Sequence, residues 1–147
     1  MTNTLVKFSN PLITRDGDQR AFVEFNGFKT LWFNTGTLCN IACSNCYIES
    51  SPKNDRLVYL SFADVVEFLD ELEELSGKTC EIGFTGGEPF LNPDFLKMLE
   101  ECQRRDLSIM VLTNAMKTLQ NKIDGLLQLQ KVFGAKKIVF RVSIDPV

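Results

Sequence analysis

Cys80-Glu81-Ile82-Gly83-Phe84-Thr85-Gly86-Gly87-Glu88-Pro89, with Asn92-Pro93 just beyond, is the stretch that decides the fold. Residues 80–85 are short and mostly apolar, as a buried strand is. Gly86-Gly87 then turns the chain, because glycine accepts positive φ and lets a second backbone come close. Asn92 is a good helix cap, and Pro93 suits the first helical position, where its missing N–H does no harm. A helix to about Arg105 should follow, burying Phe95, Leu96, Leu99 and Cys102.

The same unit recurs on both sides. Upstream, Ser61 and Asp64 resemble a capping box, with Asp in place of the usual Glu or Gln. Phe62, Val65, Val66, Leu69, Leu72 and Leu75 then keep helical spacing, while Glu67, Asp70, Glu71, Glu73 and Glu74 take the wet face and Gly77 ends the helix. Downstream, residues 107–112 form a third strand, apolar but for Ser108, as if covered on both faces. Thr113-Asn114 follows it, then a third helix over residues 118–133 with Gly134 as its stop. A fourth strand over residues 137–144 ends in Ser143, Asp145 and Pro146. The first strand falls at residues 30–33. Before it, Asp16-Gly17 and Asn26-Gly27 are hairpin signals, the first joining a strand at residues 5–8 or 12–14 to residues 21–25 and the second joining residues 21–25 to 28–33. The order β-α-β-α-β-α-β predicts an α/β fold: a parallel sheet with right-handed helical crossovers, preceded by an N-terminal β-hairpin. Residues 1–29 are the N-terminal extension and residues 30–147 the main domain.

Between the first strand and first helix lies a loop over residues 34–60, long enough to be functional. It carries Cys39, Cys43 and Cys46, three of the chain's five cysteines. Clustered thiolates favour zinc, copper(I) or an iron–sulfur cluster. Structural zinc takes four ligands, usually Cys and His, and this chain has no histidine. Three cysteines suit a cubane cluster with one iron open to a small molecule. A zinc site with its fourth ligand elsewhere, or simple packing of small buried residues, are the alternatives. Cys80 and Cys102 read as packing. The cysteine loop, the Gly86-Gly87-Glu88-Pro89 turn, Thr113-Asn114 and Ser143-Ile144-Asp145 all follow strands. They therefore meet at the C-terminal sheet edge, where parallel α/β folds bind ligands.

The chain has 147 residues and a net charge of −3. Length and apolar content suit one globular domain. The acidic balance gives no reason to expect nucleic-acid binding. No stretch reads as a membrane span or a signal peptide, so the reading is cytoplasmic and reducing. Without histidine, catalysis must run on a cofactor or on carboxylates, lysines and hydroxyls.

Cys39-x₃-Cys43-x₂-Cys46 followed by Gly86-Gly87-Glu88-Pro89 resembles the radical S-adenosylmethionine superfamily. Thr113-Asn114 and Ser143-Ile144-Asp145 match what that family often carries after its third and fourth strands. The resemblance covers residues 30–147. It implies a partial (β/α) barrel, the first four strands and three helices of a (β/α)₆ core. It implies a [4Fe-4S] cluster on Cys39, Cys43 and Cys46, with S-adenosyl-L-methionine on the open iron. Gly86, Gly87 and Glu88 would receive the methionine amino group, and Ser143 would touch the cofactor. Reductive cleavage would give a 5′-deoxyadenosyl radical that takes hydrogen from an unknown substrate, in peptide modification or cofactor biosynthesis. The electron would come from a donor such as flavodoxin or ferredoxin. The alternative is an iron–sulfur electron-transfer module without radical chemistry. Asn45 stands where the family usually has an aromatic residue near the adenine, with Tyr47 two positions on.

The resemblance also predicts that the core is truncated after its fourth strand. That strand should lie at a sheet edge, where Ile138, Val139, Phe140, Val142 and Ile144 would be blunted only by Lys136, Lys137, Arg141 and Pro146. Such an edge invites pairing with another chain, so self-association through residues 137–144 is expected.

Overall fold

The computed structural model describes residues 10–76, 80–134 and 138–144. The expected strand at residues 5–8, and Gly77, Lys136, Lys137, Asp145 and Pro146, lie outside them. Four parallel strands form one sheet in sequence order: β1 (Thr30–Asn34), β2 (Glu81–Thr85), β3 (Ser108–Thr113) and β4 (Ile138–Val142). Between them lie α1 (Phe62–Ser76), α2 (Phe95–Arg104), α3 (Lys117–Gln120) and α4 (Ile123–Phe133). When each strand is added beside its predecessor by a right-handed crossover, every helix falls on the same face. The core confirms this: Val65, Leu69 and Leu72 of α1, Phe95, Met98 and Leu99 of α2, and Leu129 of α4 pack with the sheet residues Phe33, Ile82, Phe84, Ile109 and Val111.

The register explains the burial. Phe33, Phe84, Val111 and Phe140 share one row across the sheet, and Trp32, Gly83, Met110 and Val139 the next. Side chains alternate between faces along each strand. The first row meets the helices. Phe33 stacks on Phe84 with ring centres 5.5 Å apart, and Phe95 meets Phe84 edge-on at 5.2 Å. The second row lies on the opposite, more open face, where the Trp32 ring covers Gly83 so closely that a Cβ there would stand 2.4 Å from it. The expectation that β3 is covered on both faces is therefore corrected. Ile109, Val111 and Thr113 are buried, while Met110 and Leu112 are only half-buried.

The helix starts differ in detail from the sequence reading. The Ser61–Asp64 capping box forms: Asp64 Oδ2 accepts from Ser61 N–H and Oγ–H, and Asp64 N–H donates to Ser61 Oγ. These bonds hold the Asp64 carboxyl below its usual range. Asn92 instead closes a 3₁₀ turn (Pro89–Leu91), and α2 starts two residues later than expected with Asp94 in the cap position, whose N–H donates to Asn92 Oδ1 at 2.9 Å. The expected third helix is split, with Lys122 N–H reaching back three residues to Leu119 O between α3 and α4. Part of the acidic face of α1 is also partnered: Arg105, at the end of α2, pairs with Asp70 and Glu73 as well as with Glu101.

The N-terminal hairpin shrinks to one antiparallel bridge, Ile13 with Gln19, around Asp16-Gly17. The second hairpin does not form. A type I′ turn needs positive φ at both central residues, and Gly27 adopts it while Asn26 does not. Phe22, Val23 and Phe25 are exposed, so residues 21–25 gain no apolar face to bury as a strand. Among the described residues, no helix is long and apolar enough to cross a membrane.

Candidate functional site

The C-terminal ends of all four strands open on one cleft of about 320 Å³. Cys39, Cys43 and Cys46 line it, together with Asn45 and Tyr47, Gly86 and Gly87, Thr113 and Asn114, and Ser143. All the expected site residues but Glu88 thus share one wall-to-wall space. A groove of about 340 Å³ between α4 and β4, lined by residues such as Leu126, Leu127 and Phe140, holds none of them.

The loop bearing the cysteines is long but well tied. Thr35 N–H and Oγ–H both donate to Thr85 O, at 2.8 and 3.0 Å. Leu38 forms a parallel bridge with Ser51, and Cys39 N–H donates to Ser51 O at 3.1 Å. Leu57 N–H donates to Thr37 Oγ1 at 3.1 Å. Asn92 Nδ2 bonds Thr35 O at 3.2 Å and Leu60 O at 2.9 Å, fastening the loop's two ends. Asn92 was legible as a helix cap, but this bracing role has no local signal, since its partners lie 57 and 32 residues away.

The glycine turn is the loop's seat. Gly87 N–H donates to Gly36 O at 2.8 Å, and Glu88 N–H to Leu38 O at 3.1 Å. A Cβ on Gly87 would lie 2.1 Å from the Leu38 carbonyl oxygen, so the two backbones touch where no side chain fits. Gly86 has φ +139°, a conformation open to glycine.

Glu88 itself is 1% exposed and sits behind the cleft. Its Oε1 accepts from Thr113 Oγ–H at 2.8 Å and from Phe90 N–H at 3.3 Å, and its Oε2 from Asn114 N–H at 2.9 Å. The carboxylate thus joins the turn after β2 to the end of β3. Asn114 reaches further, with Nδ2 at 2.8 Å from Asn40 Oδ1 and 3.7 Å from Cys39 Sγ. Ser143 N–H donates to Thr113 O at 2.9 Å and brings β4 to the same rim.

The cysteines differ in setting. Cys39 is buried, while Cys43 and Cys46 are half-buried. Burial pushes the Cys39 thiol up, the Glu88 and Cys46 charges adding to it against backbone hydrogen bonds at Ile41 and Asn40. Cys80 and Cys102 lie in the core, and burial drives the Cys102 thiol up to about 12. Asn45 and Tyr47 are both exposed at the mouth of the cleft. Among the described residues, no three Cys, Asp or Glu side chains gather around a single point as one metal ion needs.

The family model of the radical SAM superfamily matches residues 33–145. The chain belongs to the radical SAM superfamily. Enzymes of this superfamily use a [4Fe-4S] cluster and S-adenosylmethionine, and these are the cofactors that membership brings. The chain is 36% identical to the antilisterial bacteriocin subtilosin biosynthesis protein AlbA of Bacillus subtilis (strain 168), over 74% of this chain and 22% of that protein. It is 28% identical to the 7-carboxy-7-deazaguanine synthase of Methanopyrus kandleri, over 67% of this chain and 42% of that enzyme. It is 33% identical to the mycofactocin maturase MftC of Mycobacterium ulcerans, over 54% of this chain and 20% of that protein. The chain thus spans less than half the length of each of these relatives.

Replacing Gly87 with Ala forces two backbones apart, and replacing Glu88 with Ala strands buried donors on Thr113, Asn114 and Phe90. Each change should destabilise the fold by about 1–3 kcal/mol, read as a lower midpoint in chemical denaturation. A wild-type midpoint in both variants would show that the turn is not the loop's seat.

Proposed function

We propose that this chain forms part of the (β/α) core of a radical S-adenosylmethionine enzyme, holding its [4Fe-4S] cluster on Cys39, Cys43 and Cys46. The observation that carries the reading is that these three thiols share one cleft with the Gly86-Gly87 backbone and Ser143. The donor set fits the cluster. In a cubane each thiolate takes its own iron, so the sulfurs stand apart rather than converge on one ion. Two sulfurs already receive N–H donors, Cys46 from Ser50 and Cys39 from Asn114. Burial opposes the Cys39 thiolate, and coordination to iron removes that opposition, since a coordinating thiol is deprotonated outright.

The remaining residues bind and orient S-adenosylmethionine. Gly86 and Gly87 offer close backbone approach to its methionine end. Glu88 acts from behind the wall, fixing the turn and the Asn114 backbone. Asn45 and Tyr47 stand at the mouth, where Tyr47 offers an exposed ring for the adenine in place of the aromatic that Asn45 lacks. Ser143 closes the rim beside β4. When bound, the cluster and S-adenosylmethionine supply a one-electron cleavage whose product takes hydrogen from the substrate, and the protein supplies orientation and exclusion of water. The names of the subtilosin and mycofactocin relatives favour a peptide or a cofactor precursor as substrate. A flavodoxin- or ferredoxin-type protein is the fitting electron donor.

Cys39→Ala, Cys43→Ala and Cys46→Ala should each lose the four-iron cluster after anaerobic reconstitution, whereas Cys80→Ala and Cys102→Ala should keep it. Iron and sulfide analysis with electron spin resonance reads the result. A full cluster in Cys43→Ala, or one zinc and no iron in the wild type, would sink the assignment.

The β4 edge supports the expected pairing with a second copy, because Val139, Phe140, Val142 and Ile144 are exposed on it. The 147-residue chain should then sediment faster as its concentration rises. A monomer at every concentration would count against that pairing.

A further inference from the structure

We propose that Ser50 is a hydrogen-bond donor to the cluster and sets its reduction potential, an inference that rests on the cluster reading above. Ser50 lines the cysteine cleft and is 5% exposed. Its backbone N–H donates to Cys46 Sγ at 3.2 Å. Its hydroxyl oxygen is buried with no hydrogen-bond partner. The other buried polar side chains around the site are all engaged: Thr35 with Thr85, Thr37 with Leu57, Glu88 with Thr113 and Asn114, and Asn92 with Thr35 and Leu60. Among the described residues, two further buried oxygens lack partners, on Gln103 and Thr118, and neither residue lines this cleft. A buried hydroxyl is normally bonded, so an orphan at the wall of a binding cleft points to a bound group.

The position of the hydroxyl selects that group. It belongs to the residue whose N–H already reaches Cys46 Sγ, and Ser50 lines the same cleft, so a group bound beside that sulfur comes within its reach. In the cluster reading, the atoms there are the iron held by Cys46 and its neighbouring sulfides, which accept hydrogen bonds. S-adenosylmethionine would sit at the corner that has no cysteine, which makes it the poorer candidate. The segment is also held in place. Glu49 takes a left-handed conformation with φ +53°, Ser51 bridges Leu38, and Asn54 Nδ2 ties back to Glu49 O at 2.9 Å. An added electron makes the cluster sulfurs more negative, so a donor to them favours the reduced state. Hydrogen bonds to the sulfurs are among the determinants of iron–sulfur potentials.

The test is a redox titration of reconstituted wild type, Ser50→Ala and Ser50→Thr, each checked for iron content and without S-adenosylmethionine. Ser50→Ala should keep its iron and shift the midpoint downward. The shift should be about threefold to tenfold in the one-electron equilibrium constant, about 30–60 mV at 59 mV per tenfold. Ser50→Thr, which keeps the hydroxyl, should stay near wild type. An unchanged midpoint in fully loaded Ser50→Ala would overturn the inference. If Ser50→Ala fails to hold iron, wild-type iron and potential in Ser50→Thr support the donor, and loss in both variants overturns it. A wild type that takes up no iron refutes the cluster reading itself, and the Ser50 inference with it.

Discussion

The backbone contact between Gly87 and the Leu38 carbonyl is the constraint on which the site depends. Parallel strands end at one edge, and each loop there would otherwise wander independently. Here the turn after β2 presents two N–H groups, on Gly87 and Glu88, to the carbonyls of Gly36 and Leu38. No Cβ fits between them. The cysteine loop is therefore placed by main chain against main chain, which leaves little room for rotamer choice. Glu88 carries the constraint to β3 through Thr113 and Asn114, and Asn114 returns it to the loop at Asn40 and Cys39. A closed circuit of turn, strand end and loop results.

This circuit alters how the Gly-Gly-Glu turn is understood. A carboxylate at a strand end invites reading as a ligand to a cation. In the fold, both Glu88 oxygens also accept hydrogen bonds, from Thr113, Phe90 and Asn114, and the side chain is not among the residues that line the cleft. What faces the cleft is glycine backbone. The two glycines serve two purposes: Gly86 takes a backbone angle that other residues resist, and Gly87 allows the close approach.

Much of this was legible in the sequence, for stated reasons. The β-α alternation predicts a parallel sheet with helical crossovers, and the sheet has four parallel strands; their sequence order is the one that the resemblance to a (β/α) barrel implies. Motif residues at strand ends meet for the same topological reason. What the sequence did not reveal depended on partners far along the chain. Asn92 has the identity of a cap but braces the loop at Thr35 and Leu60. Ser50 looks like a turn residue in Ser50-Ser51-Pro52, yet it is buried against Cys46. The Asn26-Gly27 hairpin failed for the converse reason: its local signal was strong, but Phe22, Val23 and Phe25 found no surface to cover. Local chemistry proposes a turn, and burial decides whether strands form around it.

The central claim is that three cysteines hold a cluster whose remaining iron binds S-adenosylmethionine. Electron–nuclear double resonance tests it most directly, on the reduced, reconstituted protein with S-adenosylmethionine labelled at its amino nitrogen. The account predicts a hyperfine coupling between the cluster spin and the labelled nitrogen. A cluster signal indifferent to S-adenosylmethionine, with no coupling to the label, would contradict it.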